Sequence, residues 1–441
     1  MHPTLTTRAK SVDRIQAANL ALQYLRLVVR HVGPLPHVLR EAFAFASQDT
    51  VVRRRGKSKR KTIEEGVSPN NEYIESIDTD LANTGSLWAR AEDFWQIVGW
   101  SFNCSILHKR RWERWCIWLD FMIELLESDW DLRQGESGVN VMEKSLIVQY
   151  INYGSSTAGR ERRIVKAVFA DGRPKAVAEF GEIWQNETKE LKTDAAFKRV
   201  EAKIDIEADN YGDYMDDEFE DDLEDSASDP SSLPADTDPP SIDCVPNICT
   251  KLGGRDSINL RIRLLSLLSK VSDALPNAFT PITALYHNFF EHIRPLPIPA
   301  FFAIMSPPSL ALFDPTAAST LTQYVLRSII AAAAPVPPTD AISQEVFQTC
   351  YLPFSANTIS IVDNTKVSLC VETLLRLLDK HCGLDWSPAF HDLAEAGIRA
   401  RTTKARGKQK KKSTNGEGGC DMTWLTSSSE RIRMVVEMAR R

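Results

Sequence analysis

The residue types that bind metals are present, but not in metal-binding patterns. Cys244 and Cys249 are separated by four residues, and no second ligand pair follows at zinc-site spacing. His287 and His292 flank NFFE, an H-x4-H arrangement without the i, i+4 geometry and central Glu of HExxH. His381, Cys382 and His391 would need a turn to converge. The phosphate cradles G-x-x-x-x-G-K-[ST] and G-x-G-x-x-G and the nucleophile elbow G-x-S-x-G do not occur. Carboxylate neighbours such as Glu92-Asp93 are common on any protein surface. The sequence therefore predicts no catalytic, cofactor-binding or metal-binding residues, and a protein that works by binding.

The residues suited to binding are charged and aromatic. Arg53, Arg54, Arg55, Lys57, Lys59, Arg60 and Lys61 form the run RRRGKSKRK, which has no apolar residue to bury. A second run follows Arg399 and Arg401 with Lys404, Arg406, Lys408, Lys410, Lys411 and Lys412. Runs of this density read as nuclear import signals or phosphate contacts. Arg110, Arg111 and Arg114 interleave with Trp112 and Trp115, a combination that suits a nucleic-acid or partner face. The same spacing also gives intramolecular cation–π contacts, and for the rings burial in the core is the expectation. Arg26 and His31 make an R-x4-H pair, the spacing of one class of helical ribonucleases. To act, the two would have to lie in one open cleft, across a dimer.

Between Asp205 and Asp238 stand fifteen acidic residues and no Lys or Arg. Without them the net charge of −6 becomes +9, so the rest of the chain is basic. Ser226 and Ser228 sit among the carboxylates, in a context that acidophilic kinases favour. Tyr211, Tyr214, Met215, Phe219 and Leu223 alternate with the acids. That composition suits basic partners such as histones, the chain's own basic runs, or a plain linker.

Residues 10–32 place Ile15, Leu22, Leu25, Val29 and Val32 on one helical face, with Ser11 or Asp13 as N-cap and Gly33-Pro34 as terminator. Seven of the ten tryptophans fall between Leu87 and Trp130. Trp88, Trp95 and Phe102 recur every seven residues; Trp112, Trp115, Leu119, Met122 and Leu126 follow a 3-4-3-4 spacing. These predict a helical hairpin covered on two sides, broken between Asn103 and Lys109, where Asn103 and Ser105 satisfy end groups. Further helices are predicted at 142–153, 160–170 and 176–200. Beyond the acidic segment, helices are predicted at 256–275, 281–293, 316–334, 341–351, 362–381 and 388–399, joined by proline-rich turns.

The expected architecture is all-α: an irregular helical array of α-solenoid-like hairpins in two regions, with a disordered acidic insert and basic loops. The boundaries are N-terminal helices 1–50, a basic and polar loop 51–85, a Trp-rich helical region 86–204 and an acidic linker 205–250. A C-terminal helical region 251–400, a basic loop 401–421 and a terminal helix 422–441 complete the chain. No run of eighteen apolar residues exists, and MHPTLTTRAK lacks the apolar core of a signal peptide. Eight scattered cysteines fit a reducing compartment. Together these predict a non-enzymatic nuclear scaffold or adaptor with protein partners in a chromatin- or RNA-associated complex. The alternative is direct nucleic-acid binding through the basic runs and Arg/Trp faces. No membrane contact is expected.

Overall fold

The computed structural model describes residues 1–34, 42–45, 79, 81, 83–135, 139–154, 159–189, 250–338, 341–407 and 417–440. The run from Arg53 to Lys61, the acidic segment with Ser226 and Ser228, the pair Cys244 and Cys249, and Lys408, Lys410, Lys411 and Lys412 lie outside the described residues. The fold is all-α; among the described residues the sole β feature is an isolated antiparallel bridge between Ile330 and Ala356. No described helix is long and apolar enough to cross a membrane. The first long helix, α1 (Val12–Val32), follows its periodic pattern: Ser11 takes the N-cap position and Gly33, at φ 81°, ends it in a conformation that glycine adopts without penalty.

The tryptophan-rich stretch folds as a helical hairpin, α2 (Phe94–Leu107) and α3 (Lys109–Gly135), joined through His108 alone. Asp93 caps α2 by accepting from the Gln96 N–H, while the Gln96 side chain accepts from the Glu92 N–H, a variant of the capping box. Within α2 every residue from Ile97 to Ser105 is buried, so the helix is covered all round. Asn103 and Ser105 do not end the helix as expected. Asn103 lies inside it and donates to the Ala176 and Phe180 carbonyls, both at 3.1 Å, while accepting from the Gly172 N–H at 2.9 Å. This side chain pins the 172–180 turn onto α2.

That turn explains a second departure. Over the described part of the helix expected from Ala176, residues 176–189, one short helix spans Pro174–Glu179 and turns follow it; residues 190–200 lie outside the described residues. Phe180 then drops its ring over Gly99; a Cβ at residue 99 would sit 2.3 Å from the ring. Between these elements run α4 (Leu146–Asn152) and α5 (Arg160–Val168). Asp129 of α3, buried, accepts from Arg133 and from the Leu146 N–H, starting α4 with a carboxylate at its N-terminus.

Past the acidic segment, α6 (Arg255–Ala274) packs on α3. It is followed by α7 (Ile282–Ile293), α8 (Ile298–Met305), α9 (Pro315–Ile329), α10 (Ile361–Cys382), α11 (Pro388–Arg406) and α12 (Glu417–Met438). Residues 364–375 of α10 are all buried, because α8, α9, α11 and α12 surround it. The basic loop expected from residue 401 is helix as far as Arg406: Arg401 is fully buried and donates to the Leu352 and Phe354 carbonyls. The terminal helix begins earlier than expected, and Leu425, Ile432 and Val436 bury it. Met1–Thr188 and Asn247–Arg441 form one compact unit.

Candidate functional site

The Arg/Trp edge does not present the face expected of it. Arg111 is 2% exposed. Its guanidinium donates from Nε to Glu187 at 2.6 Å, from Nη1 to the Thr6 hydroxyl at 3.0 Å and from Nη2 to the Met1 carbonyl at 3.0 Å. It also lies over the Trp115 and Trp184 rings, 4.9 and 5.4 Å from their centroids. Burial lowers the Arg111 pKa and raises that of Glu187, in each case outweighing the partner's charge. Trp112 and Trp115, the rings that interleave with these arginines, are buried too and present no open face for base stacking. Arg110 is exposed, and Arg114 donates to the Asn19 side chain at 2.5 Å.

Arg26 and His31 are not brought together. Five positions on a helix separate them by roughly 140°. Arg26 pairs with Asp120 and Glu124 of α3, whereas His31 is exposed. Of the second basic run, Lys404 donates to the Ala356 carbonyl at 2.6 Å and Arg406 is exposed on the last turn of α11. His287 meets the Tyr324 hydroxyl and Glu291, His292 stacks on Phe169, and His391 faces Glu437. No cluster of metal-ligating residues exists among the described residues.

A concavity lies elsewhere, between α1 and α3. It is a cleft of about 540 Å³. The α1 wall is Ala18, Ala21, Leu22 and Leu25; the floor is Phe43, Trp88, Trp118 and Phe121, with Trp184 and the N-terminal residues at one end. The rings hold one another: Phe43 meets Trp88 edge-on at 5.5 Å, and Trp88 lies 6.2 Å from Trp118. The lip is apolar and wet, with Leu25 42% and Ile117 45% exposed. Polar groups are few: Asn19, Gln23, Arg26, Arg114, Thr6, Ser86 and His2. The lining is apolar with sparse polar groups, a composition that binding sites share.

Sequence reading identified Leu22 and Leu25 as one face of α1 and the tryptophans as buried, but missed the gap left between them. Ile117 carried a usable signal: it falls outside the 3-4-3-4 seam of α3, so it was free to line something other than the core. Glu187 carried none, since its partner lies 76 residues away. No protein-family model, curated protein or solved structure matches the chain.

Proposed function

We propose that this chain is a non-enzymatic nuclear scaffold or adaptor that holds protein partners within a chromatin- or RNA-associated complex. The cleft between α1 and α3 carries this reading. It offers a ring-floored apolar surface with exposed aliphatic lips, the kind of surface that takes anchor side chains from another protein. The expected irregular array of helical hairpins would add further grooves for partner helices. The basic runs, Arg53 to Lys61 and Lys404 to Lys412, would supply nuclear import. A second reading, direct nucleic-acid contact, draws on the net +9 outside the acidic segment.

The test is purification of the tagged full chain from nuclear extract, with and without nuclease, followed by mass spectrometry. A reproducible set of proteins that survives nuclease supports the adaptor reading. Loss of the whole set on nuclease treatment moves the assignment to nucleic-acid binding, and recovery of background alone rejects both. In parallel, replacing both basic runs with Ala and Gln should abolish nuclear accumulation of a fluorescent fusion; an unchanged nuclear signal removes the import role.

A further inference from the structure

The charges around the cleft are unbalanced. Among the described residues no Asp or Glu lines it; the described cationic side chains that do are Arg26 and Arg114. Arg26 is neutralised by Asp120 and Glu124. Arg114 is not: its hydrogen bond goes to the neutral amide of Asn19, and no described carboxylate lies within ion-pair distance. His2, at the same end, has its pKa lowered by burial first and then by positive neighbours, among them Arg111 and Arg90. An apolar trough with a guanidinium that has no counter-ion among the described residues complements apolar side chains carried beside a carboxylate. The volume, about 540 Å³, is in the range of sites that hold a few anchor side chains.

We propose that the cleft docks an acidic amphipathic helix of a partner protein, which seats large apolar side chains against Trp88 and Trp118 and sets an Asp or Glu against Arg114. The proposal rests on the adaptor reading and names the chemistry of what is adapted. Apolar contact with the floor supplies affinity, while Arg114 selects the sign of the partner's flanking charge and quickens encounter at low salt.

The probe is a fluorescein-labelled synthetic helix with Leu, Phe and Leu at i, i+4 and i+7 and Glu at the exposed positions. A matched peptide carries Lys for Glu, and both are titrated with the full chain by fluorescence anisotropy. The acidic peptide should bind in the micromolar range, more weakly as salt rises, and the Lys peptide about tenfold or more weaker. Ile117→Glu and Arg114→Glu should each weaken the acidic peptide by about tenfold. Arg114→Glu should also strengthen the Lys peptide, a gain that misfolding cannot produce.

Absence of saturable binding to the wild-type chain overturns the proposal. So does equal binding of the two peptides, or binding indifferent to both substitutions. Self-association abolished by Ile117→Glu, with no peptide bound, would give the cleft to a second copy instead. If the partners recovered from nuclear extract are retained by Ile117→Glu, the docking proposal falls and the adaptor reading survives.

Discussion

At the scale of single residues, the interior spends several charges on architecture. Arg111 ties Met1 and Thr6 to the turn holding Glu187, and the pair is all but sealed from water. Both pKa values move toward the neutral forms, because desolvation exceeds the attraction between the partners. Removing one partner strands the other, so Arg111→Met should lose about 3–5 kcal/mol in urea unfolding. Replacing both, as Arg111→Met with Glu187→Leu, should recover most of that loss. The pH dependence has a definite sign. A carboxyl whose folded pKa lies above its ordinary 4.5 contributes stability fully present below 4.5 and lost as pH rises through the folded value. Without Arg111 that value rises further, so the deficit of Arg111→Met should be smallest in acid and largest near neutrality. A deficit independent of pH would mean that Glu187 stays charged on its own.

At the scale of elements, close packing turns on what side chains leave out as much as on what they fill. Gly99 lets the Phe180 ring lie directly on α2, so Gly99→Ala must push the ring away and should cost about 1–3 kcal/mol. Phe180→Leu in the same chain should return part of that loss, and urea midpoints at unchanged slope measure both. The terminal helix α12 is held by charge as well as by its buried Leu425, Ile432 and Val436. Glu372, buried on α10, receives two bonds from Arg431, at 2.6 and 2.9 Å, and one from Ser428. Glu395 of α11 receives two from Arg433, which hold its pKa below the ordinary 4.5. Such a group contributes stability that is present above 4.5 and lost as pH falls through its folded value. Hydrogen-exchange protection of residues 425–436, corrected for intrinsic rates, should therefore decline in acid before that of α10; equal decline would show that this ion pair does not hold the helix.

These elements were unequally legible in the sequence. Helical spacing revealed α1, the tryptophan hairpin and α12, although of the face expected of α1 only Val29 is buried, with Leu25 and Val32 exposed. Asn103 misled, since its amide could serve a helix end or a distant turn, and only tertiary contact decides which. Residues 176–189 misled as well: helix propensity is a weak prior, and the seat for Phe180 at Gly99 outweighed it where the chain is described. The cleft was out of reach because it is a space between two helices, each of which reads correctly alone.

At the scale of the whole molecule, the sequence divides where the structure does not. The acidic segment reads as a boundary, yet the residues before and after it form one compact unit. Periodicity shows which face a helix buries but not what covers it, and α6 is covered by the first half. Its Arg261, fully buried, donates to the Val168 and Ala170 carbonyls at the end of α5 and lies 4.0 Å over the Phe102 ring. Those carbonyls are the negative end of a helix, so one cation caps α5 from across the chain. Arg263 adds bonds from α6 to Asp120 and Glu127 of α3.

If this is one folding unit, covalent continuity through the acidic segment is dispensable. Fragments 1–204 and 247–441, co-expressed, should copurify as a stoichiometric complex with the helical circular dichroism of the intact chain. Each fragment alone would expose the core face that the other covers, and should aggregate or remain unfolded. Arg261→Met leaves two helix-end carbonyls without donors, at a cost of about 3 kcal/mol, and should weaken reassociation by about a hundredfold. Two fragments that fold separately, or reassociation indifferent to Arg261→Met, would restore the two-region organisation read from the sequence.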